Sequence, residues 1–224
     1  MALVDRRARL RGLYAITPQS DDRDRLLAQV REALDGGASL VQYRAKNLPR
    51  RERIRQAESL LDLCRTRGVP LIVNDDLDLA IALAADGIHL GREDVDPRLA
   101  RERLPQAIIG VSCYDQPARA TAAALAGADY VGIGSVFTSP TKPGAARAGL
   151  AAIGLARIAS GLPVAAIGGI TAANAIDAVA AGADMLAVIT ALFGASDIAI
   201  AARALSRPFD RTSDPHVRTQ PAAV

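Results

Sequence analysis

The chain has 224 residues, 50% of them hydrophobic and 23% charged, which predicts one globular domain with a sizeable core and excludes disorder of the whole chain. Aromatic residues make up only 3%, and the formal net charge of +3 lies in the two ends, residues 1–11 and 207–224, so no nucleic-acid-binding face is expected. No apolar run approaches the ~18 residues of a membrane span, and charges from Asp5 onwards come too early for a signal peptide.

Short β-branched runs alternate along the chain with longer, alanine-rich amphipathic stretches. The runs predict strands at Leu13–Thr17, Ser39–Arg44, Pro70–Asn74, Gly87–Leu90, Ala107–Ser112, Tyr130–Gly134, Val164–Ile167 and Met185–Ile189. The stretches predict helices near residues 22–35, 50–67, 76–85, 97–104, 116–126, 150–160, 172–181 and 196–206. Strands separated in this way are typical of βα units in a parallel sheet. Eight such units favour a single (β/α)8 TIM barrel, an α/β fold.

An open doubly wound sheet is the alternative architecture. The turn after the first predicted strand, Ile16–Ser20, has no glycine and so lacks the fingerprint of that fold. We therefore place one catalytic barrel domain over residues 1–206. The segment 207–224 contains three prolines and no hydrophobic periodicity, and we predict that it is a disordered tail.

A short motif recurs before two of the predicted strands. Ala126–Val131 resembles Ala181–Leu186, and Asp86-Gly87 occupies a similar place before the fourth strand. Each glycine falls where a helix ends and a strand begins, as a left-handed C-cap requires. We interpret the motif as structural.

Polar residues collect where the predicted strands end, which is the rim that carries the chemistry of such barrels. The candidate site residues at these positions are Gln42, Arg44, Lys46, Asn74, Asp75, Asp94, Ser112, Ser139, Thr141, Lys142, Gly168, Gly169, Ile189 and Thr190. Lys46 and Lys142 are the only lysines of the chain, and a compact ammonium suits a point charge against phosphate. We therefore expect both to act in the chemistry.

Asp75 and Asp94 follow adjacent predicted strands. Neighbouring parallel strands lie ~4.8 Å apart, so both carboxylates can reach one ion. With two histidines and two cysteines in the chain, zinc is disfavoured, and two carboxylates suit Mg²⁺ shared with a substrate phosphate. Asp76 and Glu93 compete for this role, although Asp76 is expected to cap the next helix.

The glycine pair Gly168-Gly169 ends the seventh predicted strand, and Ile189-Thr190 ends the eighth. The seventh and eighth loops form the common phosphate site of such barrels. The long loop after the sixth strand, with Lys142 between hydroxyl groups and glycines, suits an anion-binding lid. His89 is expected to pack at a strand end, and Cys113 to be a small buried residue.

An ordered set of segments resembles the thiamine phosphate synthase family over residues 12 to about 205. The segments are Gln42–Lys46, Asn74-Asp75, His89–Asp94, Gly110–Ser112, Thr138–Lys142 and Ile167–Ile170. The resemblance implies a (β/α)8 barrel that joins hydroxymethylpyrimidine diphosphate to thiazole phosphate and releases pyrophosphate. It also implies small-molecule substrates and a bound Mg²⁺.

The resemblance assigns roles to the candidate residues. Gln42 would contact the pyrimidine, and Asp75 and Asp94 would bind Mg²⁺. Residues that would hold the diphosphate are Arg44, Lys46, Asn74, Ser112 and Lys142. Residues that would surround the thiazole and its phosphate are Ser139, Thr141, Gly168, Gly169, Ile189 and Thr190.

Two departures from the family pattern bear on these roles. The loop after the sixth strand has Thr138-Ser139-Pro140-Thr141-Lys142 where the family often has Pro-Thr-x-Thr-Lys. The last strand ends in Ile189-Thr190 where the family often has Val-Ser, which keeps the hydroxyl group but adds a methyl group.

Two other functions stay open at this point. A thiazole tautomerase shares the fold but uses a histidine shortly after the fifth strand, where this chain has Tyr114. A non-catalytic phosphate-ligand-binding barrel would have no use for the acid pair. Because two cysteines cannot form a disulfide framework, we expect a reduced, cytoplasmic protein, and the sequence leaves a homo-oligomer open.

Overall fold

The computed structural model describes residues 10–138 and 147–210. The strands are β1 (Gly12–Ile16), β2 (Ala38–Tyr43), β3 (Leu71–Asn74), β4 (Gly87–Leu90), β5 (Ile108–Tyr114), β6 (Tyr130–Ile133), β7 (Val164–Ile167) and β8 (Met185–Val188). The helices are α1 (Arg23–Asp35), α2 (Arg50–Thr66), α3 (Leu77–Ala82), α4 (Pro97–Arg103), α5 (Pro117–Leu125), α6 (Ala151–Ser160), α7 (Ala175–Ala180), α8 (Thr190–Phe193) and α9 (Ile198–Ser206).

The eight strands are parallel and form a closed barrel in chain order. The predicted TIM barrel is confirmed, and the open sheet is wrong because β8 pairs with β1, joining Leu186 to Leu13. The ends of every predicted strand lie within two residues of those observed. Helix α8 was not predicted, since a single turn is too short to show a helical period. Thr190 therefore opens a helix and does not end a strand.

The C-terminal boundary differs from the expected one at residue 206. Arg207–Phe209 forms a 3₁₀ helix, and the half-buried Phe209 packs against the core. The guanidinium carbon of Arg11 lies 5.6 Å from the centroid of the Phe209 ring. An aromatic side chain thus ties the first residues of the predicted tail to the barrel. The rest of that tail, residues 211–224, lies outside the described residues.

Alternate residues of each strand enter two different cores. In β3, Leu71 and Val73 pack outwards against the helices, whereas Ile72 points into the barrel. The inner core also holds the fully buried Tyr14 and Tyr130. This two-residue alternation is the strand period that closes a barrel around packed side chains. Within the two described ranges, no helix combines the length and apolar character needed to cross a bilayer.

One arrangement recurs three times at the rim where strands begin, and we call it the strand clamp. An aspartate that precedes an even-numbered strand accepts a hydrogen bond from a backbone N–H near the start of the preceding strand. The pairs, each 2.9 Å apart, are Asp86 with Leu71, Asp129 with Ile109 and Asp184 with Val164.

An arginine from an earlier helix completes each clamp. It donates to the carbonyl oxygen two residues before the aspartate, in the pairs Arg65 with Ala84, Arg101 with Gly127 and Arg157 with Gly182. Arg101 and Arg157 also form ion pairs with the clamp aspartates at 2.6 Å. The repeated sequence motif is therefore structural, as expected, and its aspartate takes part through hydrogen bonds that the sequence did not indicate.

Candidate active site

The loop after β2 is fixed by side chains that follow β1. The backbone N–H of Arg44 donates to the buried Thr17 Oγ1 at 2.9 Å, and that of Lys46 donates to Gln19 Oε1 at 3.0 Å. These contacts place two cations at the rim, with Gln42 buried below them inside the barrel. Thr17 and Gln19 were not predicted, because a hydroxyl or amide group after a strand carries no signal of what it supports.

Asp75 and Asp94 lie together at the ends of β3 and β4. Burial raises the pKa of Asp75 first, then the neighbouring Asp94 carboxylate raises it further, while Lys46 opposes both. The Lys46 ammonium lies 3.4 Å from Asp75 Oδ2, and Asp94 Oδ2 accepts a 2.6 Å hydrogen bond from the Gly91 N–H. Asp75 also has a φ of 65°, an uncommon conformation for a residue other than glycine. The structure thus holds two carboxylates close together despite their repulsion.

Asp76 has a different role from its neighbour. Its Oδ1 accepts from the Leu79 N–H at 2.9 Å, which caps helix α3, and its Oδ2 pairs with Arg53 at 3.0 Å. The expected capping role of Asp76 is confirmed. Asp76 is therefore occupied in holding a helix, whereas the Asp75 carboxylate lies beside Asp94.

The carboxylates at the rim suit some metal ions and not others. Among the described residues no group of three or more His, Cys, Asp and Glu could hold an ion by itself. Mg²⁺ is usually bound through one or two carboxylates, with water and substrate phosphate completing the shell. The Asp75–Asp94 pair fits that mode, whereas a structural zinc site would need four protein ligands.

A continuous hydrogen-bond chain crosses the barrel interior below the rim. Gln42 Nε2 donates to Tyr14 Oη at 2.8 Å, and Tyr14 Oη lies 2.8 Å from Tyr130 Oη. Tyr130 Oη lies 2.9 Å from His89 Nδ1, and His89 Nε2 lies 2.8 Å from Ser112 Oγ. We call these five residues the interior chain. It joins two predicted site residues, Gln42 and Ser112, through three that were not predicted.

The packing of the barrel makes room for the interior chain. A Cβ atom on Gly110 would overlap the Tyr130 ring, and one on Gly132 would lie 3.4 Å from His89 Cε1. The His89 and Tyr130 rings are stacked, with centroids 5.5 Å apart. Gly110 and His89 both belong to segments that carry the family resemblance, which was the sequence signal of this arrangement. His89 packs at a strand end, as expected, and it also makes two hydrogen bonds that the sequence did not indicate.

Burial keeps the groups of the interior chain neutral. It lowers the pKa of His89 to about 4, against a weaker opposite effect of Asp94. It also raises the pKa of Tyr14 and Tyr130 above the usual value for a phenol. Burial similarly raises the pKa of Cys113 to about 11, so this residue is a buried thiol, as expected, and not a nucleophile.

The ends of β7 and β8 form the other side of the rim. Gly168 and Gly169 have φ values of 97° and 67°, and a Cβ atom on either would overlap the segment Ser135–Thr138. Both glycines are therefore required by close backbone packing. Ile189 packs against the inner core, and Thr190 follows it as the first residue of α8. Ser139, Thr141 and Lys142 lie outside the described residues.

Tyr114, at the end of β5, contacts the loop that follows β4. Its hydroxyl accepts a 3.0 Å hydrogen bond from the Arg92 N–H, and the Arg92 guanidinium lies 4.7 Å from the ring centroid. The Arg119 guanidinium lies 5.7 Å from the same centroid. The tyrosine thus orders the loop after β4 that carries Asp94, a role that a sequence pattern does not reveal.

Comparison with known proteins decides the family. The model of a family described as thiamine monophosphate synthase matches residues 13–192. A thiamine-phosphate synthase of Thiobacillus denitrificans is 54% identical over 199 residues, which cover 88% of this chain and 94% of that protein. The chain belongs to the thiamine monophosphate synthase family. The predicted resemblance and transferase class are thereby confirmed.

Solved structures agree with this family assignment. A thiamine phosphate pyrophosphorylase from Pyrococcus furiosus has a TM-score of 0.81 and 38% identity, covering 90% of this chain and 96% of that one. A tryptophan synthase from Mycobacterium tuberculosis has a TM-score of 0.69 over 92% of this chain at 14% identity. The second likeness shows a shared fold alone.

Proposed function

We propose that this member of the thiamine monophosphate synthase family joins hydroxymethylpyrimidine diphosphate to thiazole phosphate and releases pyrophosphate. The observation that supports this best is the Asp75–Asp94 pair beside Lys46, on the same rim as the strand end that carries the buried Gln42. An acid pair next to a cation suits a metal-bound diphosphate. A buried amide suits an aminopyrimidine ring, whose polar edge it can match by hydrogen bonds.

The proposed roles follow the positions around the rim. Gln42 contacts the pyrimidine, and Asp75 and Asp94 hold Mg²⁺. The diphosphate is held by Arg44, Lys46, Asn74, Ser112 and Lys142. The thiazole and its phosphate are held by Ser139, Thr141, Gly168, Gly169, Ile189 and Thr190.

The reaction needs no protein nucleophile. The C–O bond to the diphosphate breaks, and its electron pair leaves with pyrophosphate. The amino group of the pyrimidine stabilises the methylene cation, and the thiazole nitrogen then donates its lone pair to form the new C–N bond. Bound Mg²⁺ would neutralise negative charge on the phosphate groups. Arg44, Lys46 and Lys142 stabilise the charge that grows on the departing group, and the barrel aligns the two substrates.

Pyrophosphate release tests this proposal. The purified protein is incubated with both substrates, with either one alone, and with or without Mg²⁺. We expect release only when both substrates and Mg²⁺ are present. A tautomerase would instead turn over the thiazole alone and without metal, and a binding protein would release nothing.

We also propose that the protein works in the cytoplasm. Cys64 and Cys113 are both free and buried, which supports a reduced, cytoplasmic protein. A homo-oligomer stays a prediction, which the molar mass in solution would test.

A further inference from the structure

The interior chain links the two ends of the proposed pyrimidine diphosphate site. We propose that Tyr14, Tyr130 and His89 are positioning residues whose hydrogen bonds all run one way, so that Ser112 offers its hydrogen to the diphosphate. This inference rests on the proposed function. It concerns two buried tyrosines and a half-buried histidine inside the barrel, and not the groups at its rim.

The amide group of Gln42 fixes the direction of the hydrogen bonds in the interior chain. An amide nitrogen only donates, so Tyr14 Oη accepts from Gln42 Nε2. Tyr130 Oη, 2.8 Å away, is then the acceptor for the hydrogen of the buried Tyr14 hydroxyl. Tyr130 then donates to His89 Nδ1. A neutral imidazole that accepts at Nδ1 carries its hydrogen on Nε2.

The other end of the chain follows from the histidine. His89 Nε2 donates to Ser112 Oγ at 2.8 Å, so the serine hydrogen is left for a further acceptor. A phosphate oxygen is such an acceptor, and its bond from a hydroxyl is strengthened by the charge. At the opposite end, Gln42 Oε1 is left to accept from the amino group of the pyrimidine. The same chain of hydrogen bonds therefore determines which atom donates and which accepts in both substrate contacts.

The reverse direction would weaken substrate binding. If Ser112 donated to His89 Nε2, its oxygen would offer only lone pairs to an anion, which repel it. Gln42 would then have to present its amide nitrogen to an amino group, and two donors cannot bond. Because Tyr14 and Tyr130 are fully buried, no water can replace a missing partner in the middle of the chain. A preset direction therefore avoids a reorganisation each time substrate binds.

The tautomer of His89 tests the direction without any substrate. The chain has only two histidines, so a His216→Ala variant labelled with ¹⁵N in its imidazole gives the signals of His89 alone. We expect a neutral ring at pH 7 with its hydrogen on Nε2. A ring with its hydrogen on Nδ1, or a charged ring, would overturn the proposal.

Kinetics of Tyr→Phe variants test the positioning role. Tyr14→Phe and Tyr130→Phe each remove one hydroxyl from the chain. The control is Tyr43→Phe, since Tyr43 is equally buried and donates to Gln56 Oε1 at 3.0 Å on the outer side of the sheet. For the two chain variants we expect KM for the pyrimidine diphosphate to rise about 3- to 10-fold. KM for the thiazole phosphate should not change, and the control should change neither.

A double variant separates positioning from general damage. In a Ser112→Ala background, Tyr130→Phe should raise KM for the diphosphate substrate by a smaller factor than it does in the wild type, because one of the two contacts through which it acts is gone. Additive effects, equal increases in KM for both substrates, or an equal effect in Tyr43→Phe would each overturn the proposal. A wild-type protein that releases no pyrophosphate would defeat the proposed function instead, and the tautomer of His89 would still decide the direction.

Discussion

Asp75 and Asp76 are neighbours in the chain, but we expect them to affect the stability of the folded protein in opposite ways. Asp75→Asn should lower pyrophosphate release by about 10²-fold or more, since an ion ligand is lost. The same change should raise the melting temperature slightly at pH 7, because the raised pKa of Asp75 means that its charged form is disfavoured in the folded protein. Thermal melts across pH check the sign: the gain should shrink once pH falls below the raised pKa and vanish below the ordinary pKa of an aspartate.

Asp76→Ala is the matched control for Asp75→Asn. Loss of the α3 cap should cost about 1 kcal/mol and lower the melting temperature by about 2–4 °C. Pyrophosphate release per folded molecule should be retained. The opposite pattern, with a stable but inactive Asp76 variant, would show that Asp76 and not Asp75 serves the ion.

His89 should make the protein sensitive to acid. Its pKa is about 4 in the folded protein and near 6.5 when unfolded, so between these values the unfolded chain binds the additional proton. The free energy of unfolding should therefore fall as pH falls, by up to about 1.4 kcal/mol per pH unit from this residue. Denaturant titrations at several pH values should show a flatter profile for His89→Gln. His216→Gln should match the wild type, and an unchanged slope in His89→Gln would contradict the argument.

The predictability of single residues depends on where their partners lie in the chain. Asp75 and Asp94 could be paired from sequence because each follows a strand and the strands are neighbours. The contacts of Tyr14, Tyr130 and His89 could not, because tyrosine inside a strand looks like any core aromatic. Only the closed barrel brings β1, β4 and β6 to one axis.

At the scale of elements, hydrophobic periodicity located the strands and the longer helices. It could not show the contacts between loops, which depend on close packing in the folded barrel.

Gly168→Ala should lower the melting temperature and raise KM for thiazole phosphate, because its Cβ would overlap Ser135 and displace the segment that follows β6. Gly161→Ala is the control, since Gly161 also has a positive φ, of 64°, but nothing lies within 4 Å of the added atom. It should cost about 1 kcal/mol of stability and leave KM unchanged. Equal effects of both variants on KM would contradict the packing argument.

At the scale of the whole molecule, Phe209 is the last of the described residues that packs against the hydrophobic core. Removal of residues 211–224 should leave the melting temperature nearly unchanged, because that stretch has no core periodicity. Removal of residues 207–224 should lower it, since Phe209 leaves the core and Arg11 loses its aromatic partner. Phe209→Ala separates the loss of the side chain from the loss of chain length. Equal melting temperatures for all three variants and the wild type would show that the 3₁₀ helix contributes nothing.

The strand clamps also bear on how such barrels exchange parts during evolution. Each clamp is self-contained, because its arginine, its aspartate and the strand between them all fall in one stretch of chain, as from Arg101 to Asp129. A chimaera with a relative whose breakpoints fall between clamps would inherit every clamp intact. A chimaera whose breakpoint falls between Arg101 and Asp129 would take the two partners of this buried ion pair from different proteins. Inherited crossovers in such barrels should therefore be found between clamps, at the rim where the chemistry varies.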